Sequence, residues 1–277
     1  MKKRMRSIRR YGRLYRISIA AFFQKLMQSR VDFLLGLIGF FLTQLMGILF
    51  IYLVFRQIPD LYGWSMEDLI FIYGFAQLPR GLDHLLTDNL WLLAWRWVRT
   101  GDFDRYLLRP VNILFQIISE TIQPDAIGEL LLGIVITVRA VRLGVLNLGG
   151  IKVFWLFASV LAGSLIYTGI KLLFSALAFW LKTSGPILQL AYEVADFAKY
   201  PTQIYSRLVR VIITWVLPFA FVAFLPAAFL LERQVPILGH DVGAGIIGLE
   251  WLLALGICLT GYAVFQRGIG RYESAGN

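Results

Sequence analysis

Residues 31–55 read VDFLLGLIGFFLTQLMGILFIYLVF, a run whose only charged residue is Asp32 at its start. At about 1.5 Å per residue, a helix of this length crosses the roughly 30 Å hydrocarbon core of a bilayer. Asp32 opens the run and Arg56 closes it, while Gly36, Gly39 and Gly47 leave room for close helix contact. The stretch is therefore read as a first membrane span, and it sets the class of the whole chain. The composition agrees, with 58% hydrophobic and 16% charged residues over 277 positions and a mean hydropathy of +0.69.

Upstream of this run lie ten Lys or Arg between Lys2 and Arg30, with no acid among them. Ile8, Tyr11, Tyr15, Ile19, Phe22 and Leu26 recur at helical steps, with Arg9, Arg10, Arg13 and Arg16 largely off that stripe. Residues 1–30 thus form a basic segment whose 7–28 portion is expected to lie as an amphipathic helix on anionic lipid. A disordered basic tail is the alternative. The basic stretch is too long for a cleavable secretory signal, and no small-residue cleavage site follows the first apolar run. The net charge of +10 sits beside apolar segments, which argues for membrane orientation and against nucleic acid.

Downstream, 31–277 reads as a single all-α transmembrane domain with about six spans. After an outer loop from Pro59 to Ser65, the second span over 66–86 carries Pro79, Arg80, Asp83 and His84 and needs shielding from lipid. Residues 88–112 are polar: Asp88 and Asn89 start a short helix through Trp91, Trp95 and Val98, and Gly101 stops it. The third span, 112–138, holds Glu120, Asp125 and Glu129 and kinks near Pro124; the fourth, 151–181, holds Lys171.

An amphipathic stretch with Glu193, Asp196 and Lys199 then leads to Tyr200 and Pro201. Residues 204–231 are too long for one simple span and contain Pro218 and Pro226. They are expected to form a fifth span, 204–218, and a re-entrant piece, 219–231; one tilted, kinked helix is the alternative. The sixth span is 243–265.

Arg96, Arg99, Arg105, Arg109, Lys182, Lys199, Arg207, Arg210, Arg267 and Arg271 join the basic N-terminus on the expected cytoplasmic side, against Arg56, Arg139, Arg142, Lys152 and Arg233 outside. The excess places both termini in the cytoplasm of a multi-pass protein of the cytoplasmic (inner) membrane. The Arg139 to Lys152 loop is more basic than an outer loop should be.

One cysteine, Cys258, excludes an internal disulfide framework, and two histidines, His84 and His240, argue against a metal centre. There is no G-x-x-x-x-G-K-[ST] loop, hydrolase elbow or H-E-x-x-H helix, so no enzyme site or cofactor is expected in this chain.

From Tyr62-Gly63-Trp64-Ser65 through Gly101-Asp102-Phe103-Asp104 to Leu107-Leu108-Arg109-Pro110-Val111-Asn112, the chain resembles the ABC-2 type permeases, the transmembrane subunits of ABC exporters. The likeness continues through Tyr200-Pro201 and Leu217-Pro218-Phe219-Ala220-Phe221, with Pro226 eight residues beyond Pro218. The resemblance implies two permeases, identical or homologous, working with two separate ATP-binding subunits that hold ATP and Mg. It also implies that 88–112 is a coupling segment docked on the ATPase, with Trp91, Trp95, Arg96, Arg99, Asp102, Asp104, Arg105 and Arg109 as its site residues. Trp and Arg are the residues enriched at interface hot spots, although an aromatic belt at headgroup depth is an alternative for the tryptophans.

Arg80, Asp83, His84, Glu120, Glu129 and Lys171, with Asp125, are the groups placed at or near membrane depth, either along a translocation path or in structural pairs. Arg80 can pair locally with Asp83 or His84, and Lys171 can snorkel. A secondary, ion-coupled transporter is the rival function; it would need no ATPase and would favour paired halves, which are not evident. An intramembrane enzyme would need convergent nucleophile, acid or metal groups that the inventory does not supply.

Overall fold

The structure, a computed structural model, describes residues 30–120, 123, 126–235, 243 and 245–274. The expected 7–28 helix, Pro124, Asp125 and His240 lie outside these residues. The chain is all-helical apart from one isolated bridge, Leu61 to Trp64, among the described residues.

The helices are α1 (Arg30–Phe55), α2 (Met66–Thr87), α3 (residues 89–100), α4 (Asp104–Leu107), α5 (Ile113–Glu120) and α6 (Ala126–Arg142). There follow α7 (Ile151–Ala176, prolonged by Ala178–Leu181), α8 (Gly185–Ala195), α9 (Arg207–Val216), α10 (Phe224–Leu230) and α11 (Gly245–Ile269). Three of them, at Phe33–Phe55, Ile151–Leu181 and Gly245–Ile269, are long and apolar enough to cross a membrane. The chain is a polytopic membrane protein.

Contacts along the helices give the direction of each pass. Phe50 to Phe55 of α1 meet Leu61 and Leu69 at what we term the Trp64 end. The turn into α2 is set by Tyr62 and Gly63, both at positive φ, with Asp60 Oδ1 accepting from the Gly63 N–H at 2.9 Å. Ser65 then caps α2: its Oγ accepts from Asp68 N at 3.2 Å and Asp68 Oδ2 accepts from Ser65 N at 3.1 Å, a reciprocal capping box.

From there α2 descends, and α6 runs back up beside it, from Glu129 next to Arg80 to Arg139 next to Glu67. α7 descends from Lys152, paired with Glu232, and α11 follows it in parallel. Those two helices touch backbone to backbone: a Cβ on Gly261 would lie 2.8 Å from the Gly169 carbonyl oxygen. Only glycine permits that approach.

The next pass departs from the expectation. Ser184 N donates to Ala94 O at 2.9 Å at the start of α8, Tyr192 reaches Asp83, Asp196 reaches Arg80, and Lys199 lies over Tyr73. Tyr200, Ile204 and Tyr205 finish beside Leu61 and Leu69. The stretch that runs the length of α2 is thus 185–204, whereas a fifth span was expected over 204–218.

Residues 207–216 and 219–230 are bent against each other by 71° at Pro218, so 204–231 is not one helix. Val222 reaches Gly163, halfway down α7, and Arg233 returns to Asp68 at the Trp64 end. Arg207 and Arg210 therefore follow Tyr205 at the Trp64 end instead of joining the other basic residues. Arg210 donates from Nε to the Thr202 carbonyl at 3.2 Å, clamping the turn.

Two cores result. The larger gathers α2, α6, α7, α8 and the 219–230 segment around Phe71, Phe75, Tyr167 and Phe221. The smaller lies at the opposite end, which we term the Trp97 end, and joins Leu93, Trp97, Phe103 and Tyr106 to Phe179 and Phe265.

Candidate functional site

On α2, positions 80, 83, 84 and 87 share one helical stripe, and α6, α7 and α8 close over it. Asp83 and Lys171 are both fully buried, with Oδ2 and Nζ 2.8 Å apart. The same carboxylate accepts from Thr87 Oγ1 at 2.6 Å, Thr168 Oγ1 at 2.9 Å and Tyr192 Oη at 2.9 Å. Lys171 in turn donates to Thr87 Oγ1 at 3.3 Å, approaches Asp88 at 3.4 Å and sits 5.5 Å from the Tyr192 ring centroid. The Lys171 cation and these hydroxyl donors offset part of the desolvation cost of burying the carboxylate.

One turn away, Arg80 bridges Glu129 at 3.3 Å and Asp196 at 2.9 Å, and Lys199 approaches Asp196 at 2.8 Å. His84 Nδ1 lies 3.1 Å from Glu129, with its ring parallel to Tyr192. Arg80, Asp83, His84, Glu129 and Lys171 are thus brought together in one cluster, with every charge facing an opposite one. Lys171 does not snorkel; it is held at 0% side-chain exposure. Glu120 is not part of this cluster: it pairs with Arg105 at 3.0 Å and accepts from Tyr106 Oη, because α5 ends beside α4.

The sequence reading missed Tyr192, Asp88, Thr87 and Thr168 as partners, and took Asp196 and Lys199 for an amphipathic surface. Asp88 carried a signal, four residues after His84; Tyr192 carried none short of the fold itself.

The 88–112 segment is built on the smaller core. α3 is α-helical at both ends but π-helical over Leu93–Trp97, which shifts its side chains relative to a regular helix. Trp97 is buried against Tyr106 at 4.9 Å between centroids, and Trp91 packs on Tyr192 at 5.0 Å. Phe103 is fully buried, edge-on to Phe179 and Tyr272, each at 5.0 Å. Arg105 covers both Trp97 and Tyr106.

Asp104 accepts from Ser274 Oγ at 2.6 Å. Asp102 accepts from Thr100 Oγ1 at 2.9 Å and Arg96 Nε at 3.1 Å, and that Thr100 bond, aided by Arg96, holds its carboxyl below the usual carboxylate range. Exposed on the outside are Leu92, Trp95, Arg96 and Arg99, then Arg105, Leu107, Leu108, Arg109 and Pro110. Arg99 and Arg109 have no ion pair among the described residues. Of the expected docking residues, Trp91, Asp104 and Arg105 are engaged within the chain, Arg96 and Asp102 pair with each other, and Trp95, Arg96, Arg99 and Arg109 are exposed.

No group of His, Cys, Asp or Glu among the described residues is arranged to hold a metal ion. Cys258 Sγ donates to the Leu165 carbonyl at 3.1 Å. The clusters offer ion pairing and surface recognition.

A family model described as ABC-2 family transporter protein matches residues 41–276. The chain belongs to the ABC-2 transporter family. The match takes in both clusters and every pass of the bundle apart from the start of α1. It makes the chain a permease of ABC-type transport, a membrane transport component of a kind that generally works with ATP-binding subunits. No curated protein and no solved structure matches the chain. Within the ABC-2 family reading, the Tyr62-Gly63-Trp64-Ser65 motif is the turn and cap of α2, and Gly101-Asp102-Phe103-Asp104 is the turn that drives Phe103 into the smaller core.

Proposed function

We propose that this chain is the permease subunit of an ATP-driven exporter and that a separate ATP-binding subunit docks on Trp95, Arg96, Arg99 and Arg109. The observation that carries this reading is an exposed Trp and Arg surface mounted on a rigid aromatic core. That core adjoins the buried ion-pair cluster along two helices, Leu90 following Thr87 and Asp88 and Leu172 following Lys171. Trp95 itself lies against Gly185 at the start of α8.

ATP and Mg belong to the partner in this reading, which has two ATP-binding subunits and a second permease, identical or homologous. The Trp97 end faces the cytoplasm and both termini lie on that side, with the basic N-terminal segment on anionic lipid of the cytoplasmic membrane. The six membrane crossings are 30–55, 66–87, 113–142, 151–181, 185–204 and 245–269, and 205–231 re-enters from the outer side. Cysteines placed at Gly63 and Ser206 should then be labelled from outside in intact cells and one at Gly101 should not. Labelling of Gly101 alone would invert the orientation.

The docking test is Trp95→Ala with Arg99→Ala. Hot-spot losses of about 2 kcal/mol or more correspond to roughly a thirtyfold weaker complex. Co-purification of the ATPase should fall accordingly while the permease still inserts. Arg9→Ala with Arg13→Ala should loosen membrane attachment more than ATPase binding. Cargo movement by the purified chain on an ion gradient, without an ATP-binding partner, would replace this reading with an ion-coupled transporter.

A further inference from the structure

The basic residues at the outer end of α6 and α7, unexpected in an outer loop, are not equivalent in the structure. Arg139 is held by Glu67 at 2.6 and 2.9 Å, and Lys152 pairs with Glu232. Arg142, in the last turn of α6, is exposed and has no ion pair among the described residues.

Directly below it, a groove of about 440 Å³ runs between α6 and α7. Its walls include Leu130, Ile134 and Val138 on one side and Leu156, Phe157 and Leu161 on the other. Leu130, Ile134, Val138 and Arg142 follow one another at four-residue steps, so the cation stands one turn above the apolar wall. The one hydroxyl among the lining side chains, Thr137 Oγ1, donates its proton to the Gly133 carbonyl at 2.8 Å. Ile134 and Phe157 are 52% and 62% exposed.

We infer that this groove is a binding site for one anionic phospholipid, its acyl chain between α6 and α7 and its phosphate on Arg142. An apolar slot open to the bilayer side fills with hydrocarbon, and van der Waals packing against its walls holds the chain there. The single uncommitted cation at its mouth selects among lipids by charge. The inference rests on the membrane reading of the chain and not on ATP coupling, so the loss of the ATPase partner would leave it standing.

The test is native mass spectrometry of the full chain released from nanodiscs containing equal phosphatidylglycerol and phosphatidylcholine. The chain should retain phosphatidylglycerol in preference. Arg142→Ala should reduce that preference about fivefold, the weight of one basic residue near an anionic surface, and Arg142→Lys should keep most of it. Ile134→Trp, which fills the groove, should lower the number of retained lipids by one, whichever lipid is offered; Leu161→Trp is the second filling variant should the first not fold. Unchanged preference in Arg142→Ala, or unchanged retention in a folded groove-filled variant, would overturn the site. So would cross-linking of Ile134→Cys between two copies, which would show a protein helix in place of the lipid.

Discussion

α1 and the 185–204 pass traverse the same bundle in opposite ways. Only 6% of the apolar window of α1 is buried inside the chain, and Leu34, Leu35, Ile38, Leu42, Leu45 and Met46 all face outward. The 185–204 pass buries Leu188, Ala191, Tyr192, Ala195 and Ala198, and commits Tyr192, Asp196 and Lys199 to charged or hydrogen-bonded partners. A hydropathy pattern therefore reports which face meets lipid, and a crossing whose polar groups are answered by neighbouring helices leaves little trace in it.

The largest effect should come from the pair that answers those polar groups. Lys171→Ala leaves Asp83 buried without its cation, and breaking a buried pair from one side costs roughly 3–5 kcal/mol. Thermal unfolding of the purified chain in detergent should show this as a large fall in midpoint. Lys171→Met combined with Asp83→Leu should recover most of the loss, because no charge is then left unpaired. A midpoint unchanged in the single variant would mean that the cluster does not hold the bundle.

This contrast explains which parts of the molecule were legible in advance. α1, α7 and α11 announce themselves by long apolar runs, interrupted inside only by Lys171 in α7 and Glu250 in α11, and α2 by the need to shield Arg80, Asp83 and His84. The partner of Arg80 lies 116 residues further on, at Asp196, and no local spacing reveals such a pair. Glu193, Asp196 and Lys199 recur at three-residue steps and so look like a wet surface. Asp196 and Lys199 are nonetheless answered by Arg80 and by each other, although Asp196 stays half exposed, and Glu193 is exposed and accepts from Gln189.

The docking segment was legible in its location and less so in its faces. The π turn over Leu93–Trp97 breaks the regular phase that would sort Trp91 and Trp95. Glu120 was grouped with the membrane charges by its place in an apolar run, before α4 brought Arg105 to it.

An intermediate effect should follow from Tyr192→Phe, which removes one donor from the Asp83 carboxylate and leaves the ring packing on Trp91 and Tyr167 in place. Hydrogen bonds to charged groups are worth about 1.5–3 kcal/mol, and the lower half of that range applies because Lys171, Thr87 and Thr168 remain. The same unfolding measurement reads it. A loss as large as that of Lys171→Ala would mean that α8 is anchored through this single hydroxyl.

The smallest effect belongs to α1. Leu42 is 55% exposed on the outward face, so Leu42→Ala removes little packing and should change stability by no more than about 0.5 kcal/mol in detergent. This outcome is what lipid exposure requires, since a truncated side chain is simply replaced by hydrocarbon. A second permease packed on α1 would give a different result: the substitution would then open a cavity at a protein interface, and a Leu→Ala cavity costs about 2–5 kcal/mol. The two cases separate by dilution, because stability shared with a second copy depends on protomer concentration whereas lipid exposure does not. A loss above about 1 kcal/mol that shrinks as dilution separates the copies would turn the apolarity of α1 from a record of lipid contact into a record of assembly.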